Sequence, residues 1–204
     1  MIERIGLFGG SFNPIHIGHL IAARALREKL NLNQVYFLPS LHPPHKGANV
    51  LAESHHRKEM VRLAIEGEVG FTCDDFDLTR VGPCYTIETV AHFRKQFPTA
   101  QLYWFICTDS LMDLPTWHRA PELVANCSIV TAARSGKNLV NPSELERVFG
   151  KEQTARLLSG IVETPVIDIS STDVRNRVAK GFSIRFLVSE SVRKYIEHHR
   201  LYRG

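Results

Sequence analysis

The chain has 204 residues, 44% hydrophobic and 23% charged, with 25 lysines and arginines against 21 acids and a net charge of +4. That balance excludes a disordered chain, and a mild basic excess suits an anionic small molecule better than a nucleic acid, for which no basic stripe interleaved with aromatics is present. No run approaches the roughly 20 apolar residues of a membrane span, the N-terminus has no basic-then-apolar leader pattern, and Cys73, Cys84, Cys107 and Cys127 form no Cys-x-x-Cys pair. A soluble, cytoplasmic protein with free thiols is expected.

Strand-length apolar runs recur at residues 5–8, 35–38, 102–107, 128–132 and 166–169, with helical patterns between them. Alternation of this kind predicts an α/β fold with a parallel sheet. Directly after the first run comes Gly-Gly-Ser-Phe-Asn-Pro-Ile-His-Ile-Gly-His, residues 9–19. Gly9 and Gly10 let the backbone approach a ligand closely, and the following helix aims unpaired N–H groups at it. His16 and His19, three apart, are expected on one face near the positive end of that helix. The spacing fits neither G-x-G-x-x-G nor the G-x-x-x-x-G-K-[ST] phosphate loop. His-x-x-His without a neighbouring carboxylate or cysteine cluster is no convincing metal site, so no metal ligand is expected from protein side chains.

In that first helix Ala22, Leu26 and Leu30, with Ala25 beside them, form the expected core stripe. A second helix is expected from a cap at Ser54 through Met60, Val61, Ala64 and Ile65. Between strand and helix lies Pro-Ser-Leu-His-Pro-Pro-His-Lys, residues 39–46. Read alone this is more simply a proline-rich surface loop, although His45 and Lys46 would suit a polyphosphate. Thr86 is the expected cap of a third helix that buries Ile87, Val90 and Ala91.

Asp109 follows the strand at 102–107, where a carboxylate can accept from ribose hydroxyls or cap the next helix. Trp117, after Pro115, offers a flat face for a heterocycle or plugs a peripheral cluster. Residues 144–149 and 153–158 read as short helices without evident chemistry. At Ile-Ser-Ser-Thr-Asp-Val-Arg-Asn-Arg, residues 169–177, Ser170 and Asp173 form a capping-box-like start, and the helix ends near Gly181. Thr172 and Arg175 share a face there, with Arg175 suited to bidentate phosphate contact. Arg177 is expected in a surface ion pair with Asp173. One domain over 1–204, with a helical C-terminal part from about 170, is the expected organisation.

Taken together, His16-Ile-Gly-His19, the Pro-Pro-His-Lys at 43–46, Tyr85-Thr-Ile-Glu-Thr, Asp109-Ser-Leu, Pro115-Thr-Trp117, Ser171-Thr-Asp-Val-Arg175 and the C-terminal Phe186-Leu-Val, Tyr195-Ile and Leu201-Tyr202 resemble bacterial nicotinate mononucleotide adenylyltransferases. These belong to the nucleotidyltransferase superfamily with the (H/T)-x-G-H signature. The matches run in order over nearly the whole chain, leaving mainly 135–164 unmatched. The resemblance implies a Rossmann-like parallel sheet flanked by helices, the helical C-terminal part closing the ATP site. It implies transfer of AMP from ATP to nicotinate mononucleotide, giving deamido-NAD and pyrophosphate, with Mg2+ arriving on ATP. His16, His19 and Arg175 would then be catalytic. Gly9, Gly10, Ser11, Phe12, Gly18, Lys46, Asp109, Arg134, Ser171 and Thr172 would bind ATP, and Ser40, His45, Tyr85, Thr86 and Trp117 the mononucleotide.

Four residues depart from the family pattern: Asn13 for a frequent aspartate, Ser40 for asparagine, Cys107 for glycine and Ala120 for an aromatic residue. The Cys107 side chain is expected to crowd the ribose or purine, and Ala120 to loosen the pyridine pocket. The rival readings are a related nucleotidyltransferase acting on nicotinamide mononucleotide or pantetheine phosphate, and a non-catalytic nucleotide-binding protein.

Overall fold

A computed structural model describes residues 2–41, 51–134 and 141–203, without the Arg134 side chain. Its centre is a six-stranded sheet, all parallel, in the order β3-β2-β1-β4-β5-β6. The strands are β1 (Arg4–Gly10), β2 (Gln34–Pro39), β3 (Phe71–Cys73), β4 (Gln101–Cys107), β5 (Ser128–Arg134) and β6 (Ile161–Thr164). Strand order reverses at β1, which lies between β2 and β4, so a crevice opens beyond the carboxyl ends of β1 and β4.

The period of two along each strand divides the core. Val35, Phe37, Tyr103, Phe105 and Val130 face one layer; Ile5, Leu7, Leu38, Leu102, Trp104, Ile106 and Ile129 face the other. The first layer is closed by α1 (Ile17–Lys29), α2 (Ser54–Ala64), α8 (Ser171–Ala179) and α9 (Glu190–His198) through Leu26, Met60, Val174 and Val192. The second is closed by α4 (Thr86–Gln96), α5 (Thr108–Asp113), α6 (Ala120–Asn126) and α7 (Pro142–Ser159) through Phe93, Leu111, Leu123 and Leu157. A single-turn helix, α3 (Phe76–Thr79), follows β3.

Several expectations shift. The last strand is Ile161–Thr164, not 166–169. Its residues pair with β5 from Thr131↔Ile161 to Arg134↔Thr164, and Pro165, which has no amide donor, ends the ladder. Val166 is then exposed. The three-residue β3 carries too short a pattern to stand out in the sequence. In α1 the buried alanine is Ala23 rather than Ala22. Glu53 and Tyr85, not Ser54 and Thr86, are the N-cap residues of α2 and α4. The two expected short helices merge into α7 across a kink at Gly150, whose φ of 76° suits a residue without a Cβ. The guanidinium of Arg177 is drawn to the Ser183 carbonyl (2.9 Å) and the Phe182 ring rather than to Asp173.

Candidate active site

β1 runs into the turn at 9–16 because its end packs against β4 at close range. A Cβ on Gly9 would lie 2.5 Å from Cζ2 of Trp104, so only glycine lets the strand pass the indole unchanged. Phe12, with a φ of 42°, turns the chain and buries its ring edge-on to Phe8 and His19. His16 precedes α1 as its N-cap residue instead of lying in its first turn, and His19 is the third helical residue. The two rings stack 3.7 Å apart, and the His16 amide donates to Nδ1 of His19 (3.2 Å). A neutral imidazole that accepts at Nδ1 carries its proton on Nε2, so this bond sets the His19 tautomer.

The start of α8 is built against this turn. Ser170 accepts from the Asp173 amide as an N-cap, the local bond its sequence implies. Ser171 donates to the Pro14 carbonyl (2.9 Å). Arg175 donates to the Asn13 carbonyl (2.8 Å) and to the Thr172 hydroxyl (3.1 Å). The N-termini of α1 and α8, 154 residues apart in the chain, thus converge on one corner together with Arg175. Opposed helix dipoles of like sign are costly together unless an anion lies between them. Asn13 is the hub of that corner. Its Oδ1 accepts from the Ala52 amide (3.0 Å) and the Tyr202 hydroxyl (2.8 Å), two bonds that a neutral amide serves without placing a carboxylate in an anion site.

Beside this corner, beyond the ends of β1 and β4, lies a cavity of about 520 Å³. Gly9, Gly10, Ser11, Ser40, Tyr85, Thr86 and Trp117 all line it, seven residues singled out by sequence. The Ser40 hydroxyl is buried there without a protein partner among the described residues, although its amide donates to Gly10. Tyr85 stacks on His118 at 4.1 Å, so part of the cavity wall is aromatic and amphipathic. Cys107 also lines the cavity, with Sγ 4.0 Å from the Ser110 hydroxyl. Ala120 is 1% exposed beneath the start of α6.

Not every expected residue meets at the cavity. Asp109 is exposed, one residue into α5, and is neither its cap nor part of the cavity wall. His45 and Lys46, and the Arg134 side chain, lie outside the described residues. Phe12, Gly18, Ser171 and Thr172 belong to the helix-end corner.

Three residues escaped sequence reading. Asp77, 4% exposed, accepts from Thr89 (2.7 Å) and faces Arg80 (3.7 Å); burial pushes its carboxyl pKa up, against the pull of those two partners. His118 had only its adjacency to Trp117 as a signal. Arg57 occupies an apolar stripe position of α2 with Met60 and Val61, so the helical period pointed to it only as core. The cysteines are free, and burial pushes Cys73 up to about 11 and Cys127 up to about 12, keeping both as thiols. No described helix is long and apolar enough to cross a membrane.

Residues 7–177 match the cytidylyltransferase-like family. A probable nicotinate-nucleotide adenylyltransferase of Thermomicrobium roseum is 39% identical over 202 residues, covering 99% of this chain and 92% of its own. The corresponding protein of Neisseria meningitidis is 40% identical, with 98% and 99% covered. Plasmodium falciparum nicotinic acid mononucleotide adenylyltransferase, solved as a complex with NaAD, superposes with a TM-score of 0.72 at 19% identity, covering 98% and 97%, a likeness of fold. The converging helix ends, the cavity at the strand-order reversal and this full-length similarity lead to one conclusion: the chain belongs to the nicotinate-nucleotide adenylyltransferases of the cytidylyltransferase-like family.

Proposed function

We propose that this chain transfers the adenylyl group of ATP to nicotinate mononucleotide, forming deamido-NAD and pyrophosphate. The observation that carries the site assignment is the tie from Arg175 to the Asn13 carbonyl, which joins the N-terminus of α8 to the turn leading into α1, the same turn whose Ser11 lines an aromatic cavity. Such a corner suits a triphosphate, and such a cavity suits a pyridine ribotide.

In this reading the mononucleotide phosphate attacks the α-phosphorus of ATP in line, the bond from that phosphorus to the β-phosphate bridging oxygen breaks, and pyrophosphate leaves. The protein positions both partners and neutralises growing charge. His19 donates from Nε2 to the reacting phosphates, and His16 buttresses its ring from the stacked position. Thr172, Arg175 and the Ser171 amide hold the β and γ phosphates, joined by Lys46 and Arg134. Gly9, Gly10, Ser11, Phe12 and Gly18 shape the path of the chain around ATP, and Asp109 takes the ribose at the rim.

The pyridine ring lies against Trp117, with Ser40 and His45 toward the ribose phosphate. The nicotinate carboxylate meets the N–H groups at Tyr85 and Thr86, where α4 starts. An anion is favoured there over a neutral amide. Among the described residues no cluster of three or more His, Cys, Asp or Glu is arranged to hold a metal, so Mg2+ brought by ATP would take phosphate oxygens and water as ligands. Bound there, it would supply charge neutralisation. The helical segment from about 170, tied to Pro14 and Asn13, closes the ATP side. Four free thiols suit a reducing, cytoplasmic setting.

Pyrophosphate release with ATP and a panel of acceptors tests the reading. Turnover with nicotinate mononucleotide at a kcat/KM well above that for nicotinamide mononucleotide or pantetheine phosphate is expected, and absence of turnover with the first refutes it. His19→Ala is expected to abolish turnover while the fold persists; near-normal activity would mean that the catalytic centre is elsewhere.

A further inference from the structure

Arg57 is 1% exposed, on the face of α2 that also buries Met60 and Val61. Burying a guanidinium costs several kcal/mol unless its donors are matched, and a hydrophobic residue at such a position is often the more stable choice. The structure matches the donors in an unusual way. Nε donates to the Ala52 carbonyl (3.0 Å), and Nη1 donates to the carbonyls of Ser11 (2.8 Å) and Ser40 (2.7 Å). Nη2 reaches the Leu41 carbonyl at 3.4 Å. Among the described residues all of these partners are main-chain carbonyls and none is a carboxylate.

The four carbonyls come from places that must keep a fixed separation for the reaction. Ser11 belongs to the turn leading to His16 and His19; Ser40 is the cavity wall assigned to the acceptor. Leu41 and Ala52 stand on either side of residues 42–50, the stretch that carries His45 and Lys46. Sheet hydrogen bonding between β1 and β2 ends at Gly10↔Pro39, with one more bond from the Ser40 amide to Gly10. Past that point Arg57 spans the two strand ends. A planar fork can serve several carbonyls in fixed directions, whereas a lysine ammonium is a point charge on a flexible stem. The engaged carbonyl oxygens are also partial negative charges beside a site for anions, and the guanidinium offsets them while, among the described residues, no acid pairs with it.

We propose that Arg57 is a positioning residue for adenylyl transfer. It touches neither substrate; it holds the ATP-side turn at Ser11 and the acceptor-side wall at Ser40 at one separation, and anchors Leu41 and Ala52 in the same fork. This assignment rests on the adenylyltransferase reading, and its test keeps the two apart.

The test uses the full chain with Arg57→Lys, which retains charge and loses the fork, and Arg57→Gln as a second variant. Leu157→Ala, buried in α7 on the opposite face of the sheet, is the stability-matched control. For either Arg57 variant, assayed below its melting transition, KM for ATP and KM for nicotinate mononucleotide are expected to rise together by about fivefold or more, and kcat to fall by about tenfold. Leu157→Ala, with an equal or larger loss in Tm, is expected to keep both KM values within about twofold of the parent. Hydrogen exchange should quicken selectively at residues 9–12 and 51–53 in Arg57→Lys. Unchanged KM values in a folded variant, equal changes in the control, or exchange that rises uniformly would each overturn the proposal. A parent chain inert toward every acceptor would overturn the reaction instead; selective exchange at both segments would still uphold Arg57 as the tie, and its absence would overturn that as well.

Discussion

Gly9→Ala puts the closest packing in the site under direct strain. The added methyl would fall 2.5 Å from Cζ2 and 2.7 Å from Cη2 of Trp104. Carbon atoms in contact normally sit about 3.5–4.0 Å apart, so the overlap is about 1 Å. Neither side yields easily. Trp104 is 5% exposed within the core, and its strand is held in register with β1 at Leu7↔Trp104. Overpacking of this kind costs about 1–3 kcal/mol. At roughly 2–4 °C per kcal/mol for a chain of this size, Tm should fall by about 2–12 °C. Both residues line the cavity, so the shift enters the site itself. A displacement near 1 Å there is expected to lower kcat/KM on the order of 100-fold. Thermal melts and pyrophosphate-release kinetics measure the two effects, and adding Trp104→Phe should couple favourably with Gly9→Ala in a double-mutant cycle by about 1 kcal/mol or more. A Gly9→Ala protein that melts within about 1 °C of the parent and turns over at the parental rate would refute the reasoning.

Arg175→Ala removes the charged donor between α8 and Asn13, and KM for ATP is expected to rise by about 10- to 100-fold, the equivalent of one charge-assisted bond, with a lower Tm from the lost tie; an unaltered KM counts against the phosphate corner. Tyr202→Phe deletes the bond to Asn13 Oδ1 and should cost about 0.5–1.5 kcal/mol, read as a lower Tm in calorimetry; no loss would show that this bond contributes nothing net. His56 lies between α2 and α9, with Nδ1 2.9 Å from the Tyr195 hydroxyl and the rings of His55 and His199 beside it. Burial, then the two neighbouring histidines, lowers its pKa against the opposing pull of Glu53. The unfolded chain therefore binds the proton more readily, and stability should rise with pH from the lowered folded value to the ordinary one near 6.5. His56→Gln should flatten the dependence of Tm on pH on the acid side of about 6.5, and an unchanged slope would remove His56 as its source.

Much of the molecule is determined locally. The alternating apolar runs divide a parallel sheet between two helical layers, and four of the five strands they imply form where they stand. The Ser170 cap and the Thr172–Arg175 pair are bonds across three residues, set once a helix starts. The glycines after β1 mark close approach without saying what is approached; the structure supplies Trp104. The exchange of 166–169 for Ile161–Thr164 shows the limit, since a short apolar run becomes a strand only where a neighbour offers a ladder, and β5 offers it earlier. His16 and His19 were legible as chemistry, but their stacking and the His19 tautomer depend on where α1 begins.

The joined helix ends, the Asn13 hub and the Arg57 fork were beyond the sequence, because they link residues up to 189 positions apart and, for Arg175 and Arg57, hydrogen-bond main chain, which leaves no pattern of residue types. By itself the chain determined its elements, their apolar faces and the side chains able to carry phosphate chemistry, all of which follow from spacings of a few residues. Only the tertiary structure decided which of those side chains meet, because strand order, and with it the point where α1, α8 and the cavity come together, is settled by packing between distant segments.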